Sequence, residues 1–464
     1  MIGGEKNLVL KDVLLVEDDR ELCAILNDVL VKLGLKVMTC SNSKDAIDLI
    51  LTYQFSLVLT DINLGDTSGL DILTYIKQNK PTLRVVLMTG FLEETDIHDA
   101  LELGVFGFLA KPITKKEIKK IVENAIGKNP SYRITDMDYA RVDIDDFVCG
   151  KILNFPVYIR LKDSRFLKIA HSGTEIDLNK ITQLKERMIN ELWIDKEDLQ
   201  AYLQLNEKIY NAKSQWSGAN KVKFINHFAE VSYESMRLLI FSEKSVRYCL
   251  DSVNILMNEI GQIKGSLPLM ESFISNDVRA SKLAVQGATY SLVVAKILGW
   301  TSEKTLHALS LGAFFRDIAL TYEGFNYAQF FDQNIQFDKN HYKTHPTRSV
   351  AILNAIGGFP SESLTIIEQH HEDGGQLGFP NKIPRSNIFA PALIVNYVDK
   401  MLFHLITSTQ EDPEIIKKHL HRFLDQNHRN TMDDKLTALM CFIKHGDIDK
   451  AKKEFERMKK VNQS

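Results

Sequence analysis

The stretch LVLTDINLGDTSG (residues 57–69) leads from an apolar run into a single aspartate, Asp61, and then to a glycine eight residues later. The run Leu57–Thr60 is apolar or β-branched at every position, which favours a strand that is buried on both faces. The residues from Gly69 to Asn79 then follow a helical period. The stretch therefore predicts a strand, a loop and a helix, with Asp61 at the carboxyl end of the strand.

The same alternation of strand and helix extends to both sides of this stretch. The predicted strands span residues 13–16, 36–39, 57–60, 83–88 and 106–109, and the predicted helices span residues 21–33, 43–52, 69–79, 95–103 and 114–126. Five successive strand–helix units predict a doubly wound parallel sheet. Ligands of such sheets bind at the carboxyl ends of the strands.

Four of these strand ends carry side chains suited to phosphoryl chemistry: Glu17 and Asp18, Asp61, Thr89, and Lys111. Gathered carboxylates repel one another unless a cation binds, and Mg²⁺ suits oxygen ligands beside a phosphate. Asp61 is then a plausible nucleophile, since aspartyl phosphate is a known intermediate, and Lys111 and Thr89 can hold the phosphoryl oxygens. Helix caps and surface charges would explain one such acid more simply than an ordered set at four strand ends.

Residues 12–126 resemble the receiver domain of response regulators, through Leu14–Asp18, the loop from Asp61 to Gly69, Thr89 and Lys111. The resemblance implies that Asp61 accepts a phosphoryl group from a sensor histidine kinase. It also implies a Mg²⁺ site formed by Glu17, Asp18, Asp61 and the backbone carbonyl of Asn63. Thr89 and Phe108, which lies three residues before Lys111, match the switch residues of the family. One departure is Gly65, where the family usually has proline.

The remainder of the chain divides by its sequence pattern. Residues 127–140 have the composition of a linker, and residues 141–200 contain two period-two segments, 156–161 and 166–170, that predict a hairpin in a small α+β module. Strand signals then nearly vanish. We expect connecting helices over residues 201–270, an all-α domain over 271–405 and a helical extension over 406–464. The predicted fold class is therefore multidomain.

A second group of ligand-type side chains lies in this helical part: Asp317, His345, His370, His371 and Asp399. Imidazole and carboxylate together suit iron, manganese or zinc, and two such ions can activate a water for phosphodiester hydrolysis. The alternative is that these histidines are packing or surface residues, because adjacent histidines on a helix point about 100° apart. The residues alone leave both interpretations open.

Residues 141–405 resemble the HD-GYP family, the helical phosphodiesterases of cyclic di-GMP. His345, the His370–His371 pair and Asp399 match its motifs, and Gly378-Phe379-Pro380 stands where Gly-Tyr-Pro is expected. The resemblance implies an HD-type helical fold and a ligand loop at Gly378, Phe379 and Pro380.

Three positions depart from the family in ways that bear on catalysis: Arg316 replaces the histidine of the His-Asp signature, Leu320 replaces a lysine, and Leu283 replaces an earlier histidine. A permanent cation at Arg316 opposes divalent metal binding and is expected to pair with Asp317. We therefore expect at most one transition metal, iron or manganese, or none. The interpretation that follows is a pseudoenzyme.

These observations predict a response regulator whose output domain binds a partner protein or cyclic di-GMP rather than hydrolysing it. The alternatives are an active phosphodiesterase gated by phosphorylation, and a scaffold that assembles through the helical tail, as a homodimer or with a downstream signalling protein. A net charge of −3 gives no positive electrostatic field that would attract DNA. No apolar run has the length of a membrane span. Five scattered cysteines and the lack of a secretory signal indicate the cytoplasm.

Overall fold

The structure is a computed structural model. It describes residues 9–65, 67–90, 99–126, 138–147, 150–161, 166–212, 219–239, 241–262, 279–323, 325, 327, 338–375, 377–407 and 433–462. The chain forms two compact units, Met1–Ala201 and Tyr202–Ser464.

The first unit contains a five-stranded parallel sheet with helices packed against it. The strands up to residue 110 are β1 Val9–Leu10, β2 Val13–Val16, β3 Val37–Cys40, β4 Tyr53–Gln54, β5 Leu57–Asp61, β6 Asn63–Leu64, β7 Thr67–Ser68, β8 Arg84–Thr89 and β9 Gly107–Ala110. The short strands β1 and β4 pair with each other, as do β6 and β7, outside the five-stranded sheet. Its helices are α1 Arg20–Lys32, α2 Ser43–Thr52, α3 Gly69–Asn79 and α4 Lys115–Ile126. The sheet has the order β3-β2-β5-β8-β9, and every neighbouring pair is parallel. The prediction of a doubly wound sheet is thereby confirmed.

The sequence pattern of the strands explains how this sheet is buried. All residues of β2 and β5 are buried, as expected for strands covered on both faces. Helices α1 and α4 bury Leu30 and Ile121 in one cluster with Leu15 and Leu59. The predicted helix over residues 95–103 lies partly outside the described residues, and residues 99–102 are helical.

The first unit also contains a second, antiparallel sheet, in the order β10-β13-β11-β12. Its elements are β10 Tyr139–Asp143, β11 Val157–Arg160, β12 Phe166–Ala170, α5 Leu178–Glu186 and β13 Glu191–Asp195. Strands β11 and β12 form the predicted antiparallel hairpin. An aromatic cluster of Tyr139, Tyr158, Trp193 and Phe166 covers one side. The linker prediction falls mostly on residues 127–137, which lie outside the described residues.

All regular secondary structure in the described residues of the second unit is helical, as the fold-class prediction requires. Its helices are α6 Leu199–Ala212, which begins in the first unit, α7 Ala219–Leu238, α8 Glu243–Gln262, α9 Ala280–Ile297, α10 Glu303–Phe315, α11 Ile318–Tyr322, α12 Lys339–Lys343, α13 His345–Ile356, α14 Ser361–Gln369, α15 Ala390–Thr407, α16 Asp434–His445 and α17 Ile448–Asn462. Helix α9 is buried along most of its length and contacts α7, α10, α15 and α16. Among the described helices, none combines the length and apolarity that a membrane crossing requires.

Candidate functional sites

The first candidate site lies at the carboxyl ends of β2, β5 and β9. Asp61 is the last residue of β5 and is 7% exposed. Lys111, which follows β9, places its Nζ 2.5 Å from Asp61 Oδ2 and 2.8 Å from Glu17 Oε2. The backbone N–H of Asn63 donates to Asp61 Oδ1 at 3.3 Å. The topology thus brings an aspartate, a glutamate and a lysine from three strand ends into direct contact.

Glu17, Asp18 and Asp61 can each direct one carboxylate oxygen to a common point, with the three oxygens within 4.8 Å of one another. Burial raises the pKa of Glu17, and the ion pair with Lys111 offsets only part of that rise. For Lys111, burial acts to lower the pKa, but the bonds to Asp61 and Glu17 outweigh it and raise the pKa above its ordinary value. Three carboxylates against one lysine leave an excess of negative charge, which fits a hard divalent cation such as Mg²⁺.

The loop after Asp61 depends on Gly69. A Cβ atom on Gly69 would overlap the backbone carbonyl oxygen of Asp61, so only glycine fits there. The N–H of Gly69 donates to the Ile62 carbonyl at 2.8 Å, and Ser68 caps helix α3. Asp19 has a separate, structural role, because its carboxylate accepts from the N–H groups of Glu21 and Leu22 at the start of α1.

The two residues with a predicted switching role lie on neighbouring strands. Thr89 is the last residue of β8 and is buried, and Phe108 lies in β9 and is also buried. Parallel pairing of Leu87 with Phe108 and of Thr89 with Ala110 sets their relative positions. Thr89 and Phe108 therefore lie on directly paired strands, and their switching role stays a prediction.

The second candidate site lies among helices of the second unit. Asp317 separates α10 from α11, His345 opens α13, and His370 and His371 follow the last turn of α14. The Nε2 atom of His345 lies 3.0 Å from Asp317 Oδ1 and 3.2 Å from the Nε2 of His370, which itself lies 3.6 Å from Asp317 Oδ1. His371 offers a fourth ligand atom, and all four atoms lie within 4.8 Å of one another.

Backbone carbonyls fix how two of these imidazoles are protonated. The Nδ1–H of His345 donates to the Tyr342 carbonyl at 2.7 Å, and that of His370 donates to the Ile367 carbonyl at 2.6 Å. In the neutral rings both Nε2 atoms then carry lone pairs, which repel at 3.2 Å unless a cation lies between them. Burial lowers the pKa of His345, and the charge of Asp317 offsets only part of that shift.

The spacing of these ligand atoms fits one metal ion. Ligands about 2.1 Å from a metal and separated by right or tetrahedral angles lie about 3.0–3.4 Å apart. The distances from Asp317 and between the two histidines fall close to this range. The four residues Asp317, His345, His370 and His371 could therefore hold a transition metal.

Arg316 lies immediately beside this ligand group and is buried, with 2% exposure. Its Nε lies 2.7 Å from Asp399 Oδ1 and 3.4 Å from Asp317 Oδ2. Its two terminal nitrogens donate to the carbonyls of Ala313, at 2.7 Å, and Leu283, at 3.2 Å. Burial would raise the pKa of Asp317, but Arg316 and the two imidazoles hold it well below the ordinary value.

Of the ligands expected from the sequence, Asp399 is the one that stands apart. It pairs with the guanidinium and is not part of the four-residue ligand group found among the described residues. Leu283 contributes only its carbonyl to Arg316, and Leu320 is buried among apolar residues. The guanidinium therefore reaches helix α9, on which Leu283 lies.

The loop after the histidine pair packs against the same site. Phe379 stacks on His371 with ring centroids 4.4 Å apart, and the Pro380 that follows is joined to it by a cis peptide bond. Gly378 is buried, and a Cβ atom added to it would overlap Asp373. The predicted ligand loop thus lies over one of the histidines.

Two residues that sequence reasoning missed help to hold this site. Tyr342 supplies the carbonyl for His345 and places its hydroxyl 3.4 Å from His371 Nε2. Glu372 is fully buried and accepts from the backbone N–H groups of Asn381 at 2.6 Å and Lys382 at 3.0 Å. The sequence gives no signal for Tyr342, whereas the acid after two histidines could have indicated Glu372.

Comparisons with known proteins bear on the part of the chain that contains the first site. Residues 13–123 match the family model described as the response regulator receiver domain. DNA-binding transcriptional regulator NtrC of Azospirillum brasilense is 32% identical over 117 residues, which are 25% of this chain and 24% of the relative. Response regulator protein PilR of Pseudomonas aeruginosa is 32% identical over 126 residues, which are 27% and 28% of the two chains. The chain thus spans about a quarter of the length of these relatives.

Two solved structures are also similar. Bd1817, described as an HDG"Y"P protein from Bdellovibrio bacteriovorus, is 21% identical, with a TM-score of 0.46, and the match covers 62% of this chain and 94% of that one. The signal receiver domain of an HD domain-containing protein from Pseudomonas fluorescens Pf-5 is 22% identical, with a TM-score of 0.24, and covers 26% of this chain and 94% of that one. Together with the strand order and the acidic pocket, the family match establishes that residues 13–123 form a response regulator receiver domain.

Proposed function

We propose that this chain is a two-component response regulator, phosphorylated on Asp61 by a sensor histidine kinase, with a degenerate HD-GYP-like output domain that acts by binding rather than hydrolysis. One observation carries the second half of the proposal. The buried guanidinium of Arg316 lies between Asp399 and Asp317, at 2.7 and 3.4 Å, on the side of Asp317 that faces away from the histidines.

The input chemistry follows from the contacts of Asp61. An Oδ atom of Asp61 attacks phosphorus, the P–O bond forms, and the bond from phosphorus to the nitrogen of the donor histidine breaks. Lys111 already contacts Asp61 and can follow the negative charge onto the phosphoryl oxygens. Glu17, Asp18, Asp61 and the carbonyl of Asn63 are the residues that would hold Mg²⁺, which neutralises phosphoryl charge when bound.

The output site supports one metal ion rather than two. Asp317 directs Oδ1 to the histidines and Oδ2 to Arg316, so its second oxygen is already engaged by a cation. A carboxylate that bridges two metals with one oxygen on each needs both oxygens free, and the guanidinium cannot lose its charge at any ordinary pH. A single iron or manganese on Asp317, His345, His370 and His371 is compatible with this arrangement, and a pair is not.

Binding is the function that such a site can retain. Phe379 and the rest of the Gly378–Pro380 loop lie beside His371, where they can contact a ligand held by the metal. The proposed occupants are cyclic di-GMP and a surface of a downstream partner protein. A calorimetric titration with cyclic di-GMP separates them, since micromolar binding that is lost in Phe379→Ala assigns the nucleotide to this loop.

The decisive test is hydrolysis of cyclic di-GMP by the purified full chain with added manganese or iron. We expect no turnover above that of the His370→Ala variant, and no more than one bound transition metal per chain by elemental analysis. Turnover that disappears in His370→Ala would refute a binding-only output.

The second candidate function is a phosphodiesterase that is active only when Asp61 is phosphorylated. The convergence of Asp317, His345 and His370 within 3.0–3.6 Å favours it, since this is a competent ligand set for one metal. The same assay after treatment with acetyl phosphate discriminates between the two. Turnover that requires both acetyl phosphate and His370 would establish the gated enzyme.

A further inference from the structure

Helix α4 of the receiver domain packs against the small antiparallel sheet of the same unit through charged side chains. Lys116 and Lys120 lie one helical turn apart on α4. The Nζ of Lys120 lies 2.8 Å from Asp195 Oδ2 and 4.8 Å from the ring centre of Tyr139. Lys116 lies 2.6 Å from Glu197, in a pair that is open to solvent on both sides. The Lys120 pair is less exposed to solvent than the Lys116 pair, because Asp195 is buried.

A lysine of the small sheet makes the reverse contact. Lys168, in β12, is buried, with 6% exposure, and its Nζ lies 2.5 Å from Glu117 Oε1. The same ammonium donates to the backbone carbonyl of Pro112 at 3.3 Å. Lysine is rarely buried unless its charge is paired, so the burial of Lys168 depends on its two partners, Glu117 and the Pro112 carbonyl. Strand β12 also contacts β9, the strand that leads into Lys111.

Through these contacts Lys168 touches Pro112, the residue that adjoins Lys111 of the phosphorylation site. Pro112 directly follows Lys111, and Lys111 holds Asp61 at 2.5 Å and Glu17 at 2.8 Å. When Asp61 becomes an acyl phosphate, its negative charge moves outward onto the phosphoryl oxygens. Lys111 can follow that charge, and a shift of its segment would move the Pro112 carbonyl relative to Lys168.

We propose that Lys168 is a positioning residue for the phosphorylation site. Through Pro112 and Glu117 it holds the Lys111 segment in the arrangement in which Lys111 pairs with both Asp61 and Glu17. This role rests on the proposed phosphorylation of Asp61 and goes beyond it, because it makes the small sheet part of the switch. Coupling between two sites is reciprocal: if phosphorylation weakens the Lys168 contact, that contact must oppose phosphorylation to the same degree.

The test is calorimetric binding of beryllofluoride with Mg²⁺ to the full chain, with beryllofluoride as a mimic of the phosphoryl group. Lys168→Met keeps the length of the side chain and removes its charge, and we expect it to bind beryllofluoride about fivefold more tightly than the wild type. Lys168→Arg keeps the charge and the donors, and we expect an affinity close to that of the wild type. Lys185→Met is the matched control, since Lys185 pairs with Asp145 inside the small sheet module.

Tighter binding separates positioning from a merely structural role, because general loosening of the domain would leave affinity unchanged or weaken it. Unchanged or weaker binding by Lys168→Met would overturn the proposal. If Lys168→Met does not fold, Glu117→Gln replaces it, with a smaller increase in affinity expected and the same criterion. Lack of binding by the wild type itself would instead refute the phosphorylation of Asp61.

Discussion

The guanidinium of Arg316 occupies the space in which a side chain on Gly287 would lie. A Cβ atom built on Gly287 would be 2.9 Å from Arg316 Cζ and closer still to Nη1. Gly287 lies in the middle of helix α9, where glycine costs about 1 kcal/mol relative to alanine. Helix α9 thus has a destabilising residue at the position against which the buried Arg316 guanidinium packs.

This packing predicts that Gly287→Ala destabilises the second unit, although alanine is the better helix former. We expect a loss of about 1–3 kcal/mol in the free energy of unfolding, because the added methyl group overpacks against Arg316. The measurement is chemical denaturation of the full chain, followed by the far-ultraviolet circular dichroism of the helices.

The control for Gly287→Ala is a double-mutant cycle with Arg316→Met. Arg316→Met should itself destabilise, because it leaves the buried Asp317 and the half-buried Asp399 without their cation. The double variant should be more stable than the sum of the two losses predicts, by about 1 kcal/mol or more. Strict additivity would contradict a direct clash between the two residues.

The same guanidinium predicts the metal stoichiometry. Wild-type protein loaded with manganese or iron should retain at most one ion per chain, because Arg316 engages the second oxygen of Asp317. The double variant Leu283→His/Arg316→His removes the cation and adds two histidines, one on helix α9 and one directly after helix α10. We expect this variant to approach two ions per chain, as measured by elemental analysis after gel filtration.

The single variant Leu283→His serves as the control for that experiment. It adds a ligand but keeps Arg316 in place, so we expect its metal content to equal that of the wild type. Two ions in the single variant would show that the guanidinium does not exclude a second metal.

The receiver pocket could be predicted from the sequence, and the second site only in part, for a physical reason. In a parallel sheet the strand order fixes which strand ends are neighbours. Correct prediction of the strand ends was therefore enough to bring Glu17, Asp61 and Lys111 together. Among helices, the partner of a side chain depends on packing angles and rotamers that no local pattern fixes. The sequence therefore indicated that Arg316 would pair with Asp317, but not that Asp399 lies closer to it. Nothing in the sequence pointed to Gly287.

Phosphorylation at Asp61 gives the third prediction. Asp61→Asn should abolish labelling by acetyl phosphate, because an amide is not a nucleophile for phosphorus under these conditions. Asp19→Asn is the matched control, since Asp19 lies beside the acidic pair but caps helix α1. We expect the control to be labelled like the wild type, and the readout is a phosphate-affinity gel. Persistent labelling of Asp61→Asn would disprove the assignment.

The last prediction concerns how the second site holds its metal as the pH falls. Burial lowers the pKa of His345, and burial together with His370 holds the pKa of His371 well below the ordinary value of 6.5. Both imidazoles are therefore harder to protonate than that of a free histidine, which leaves their nitrogens open to a metal at lower pH. The pKa of Asp317 is also held below its ordinary value of 3.8, so its carboxylate is not the first ligand to be lost. Protons should consequently displace the metal at a lower pH than they would if His345 and His371 had the pKa of a free histidine. Dialysis at stepped pH followed by elemental analysis measures this, with His307→Gln as a control for histidines outside the site. Loss of the metal at the pH expected for free histidine ligands would mean that His345 and His371 do not hold it.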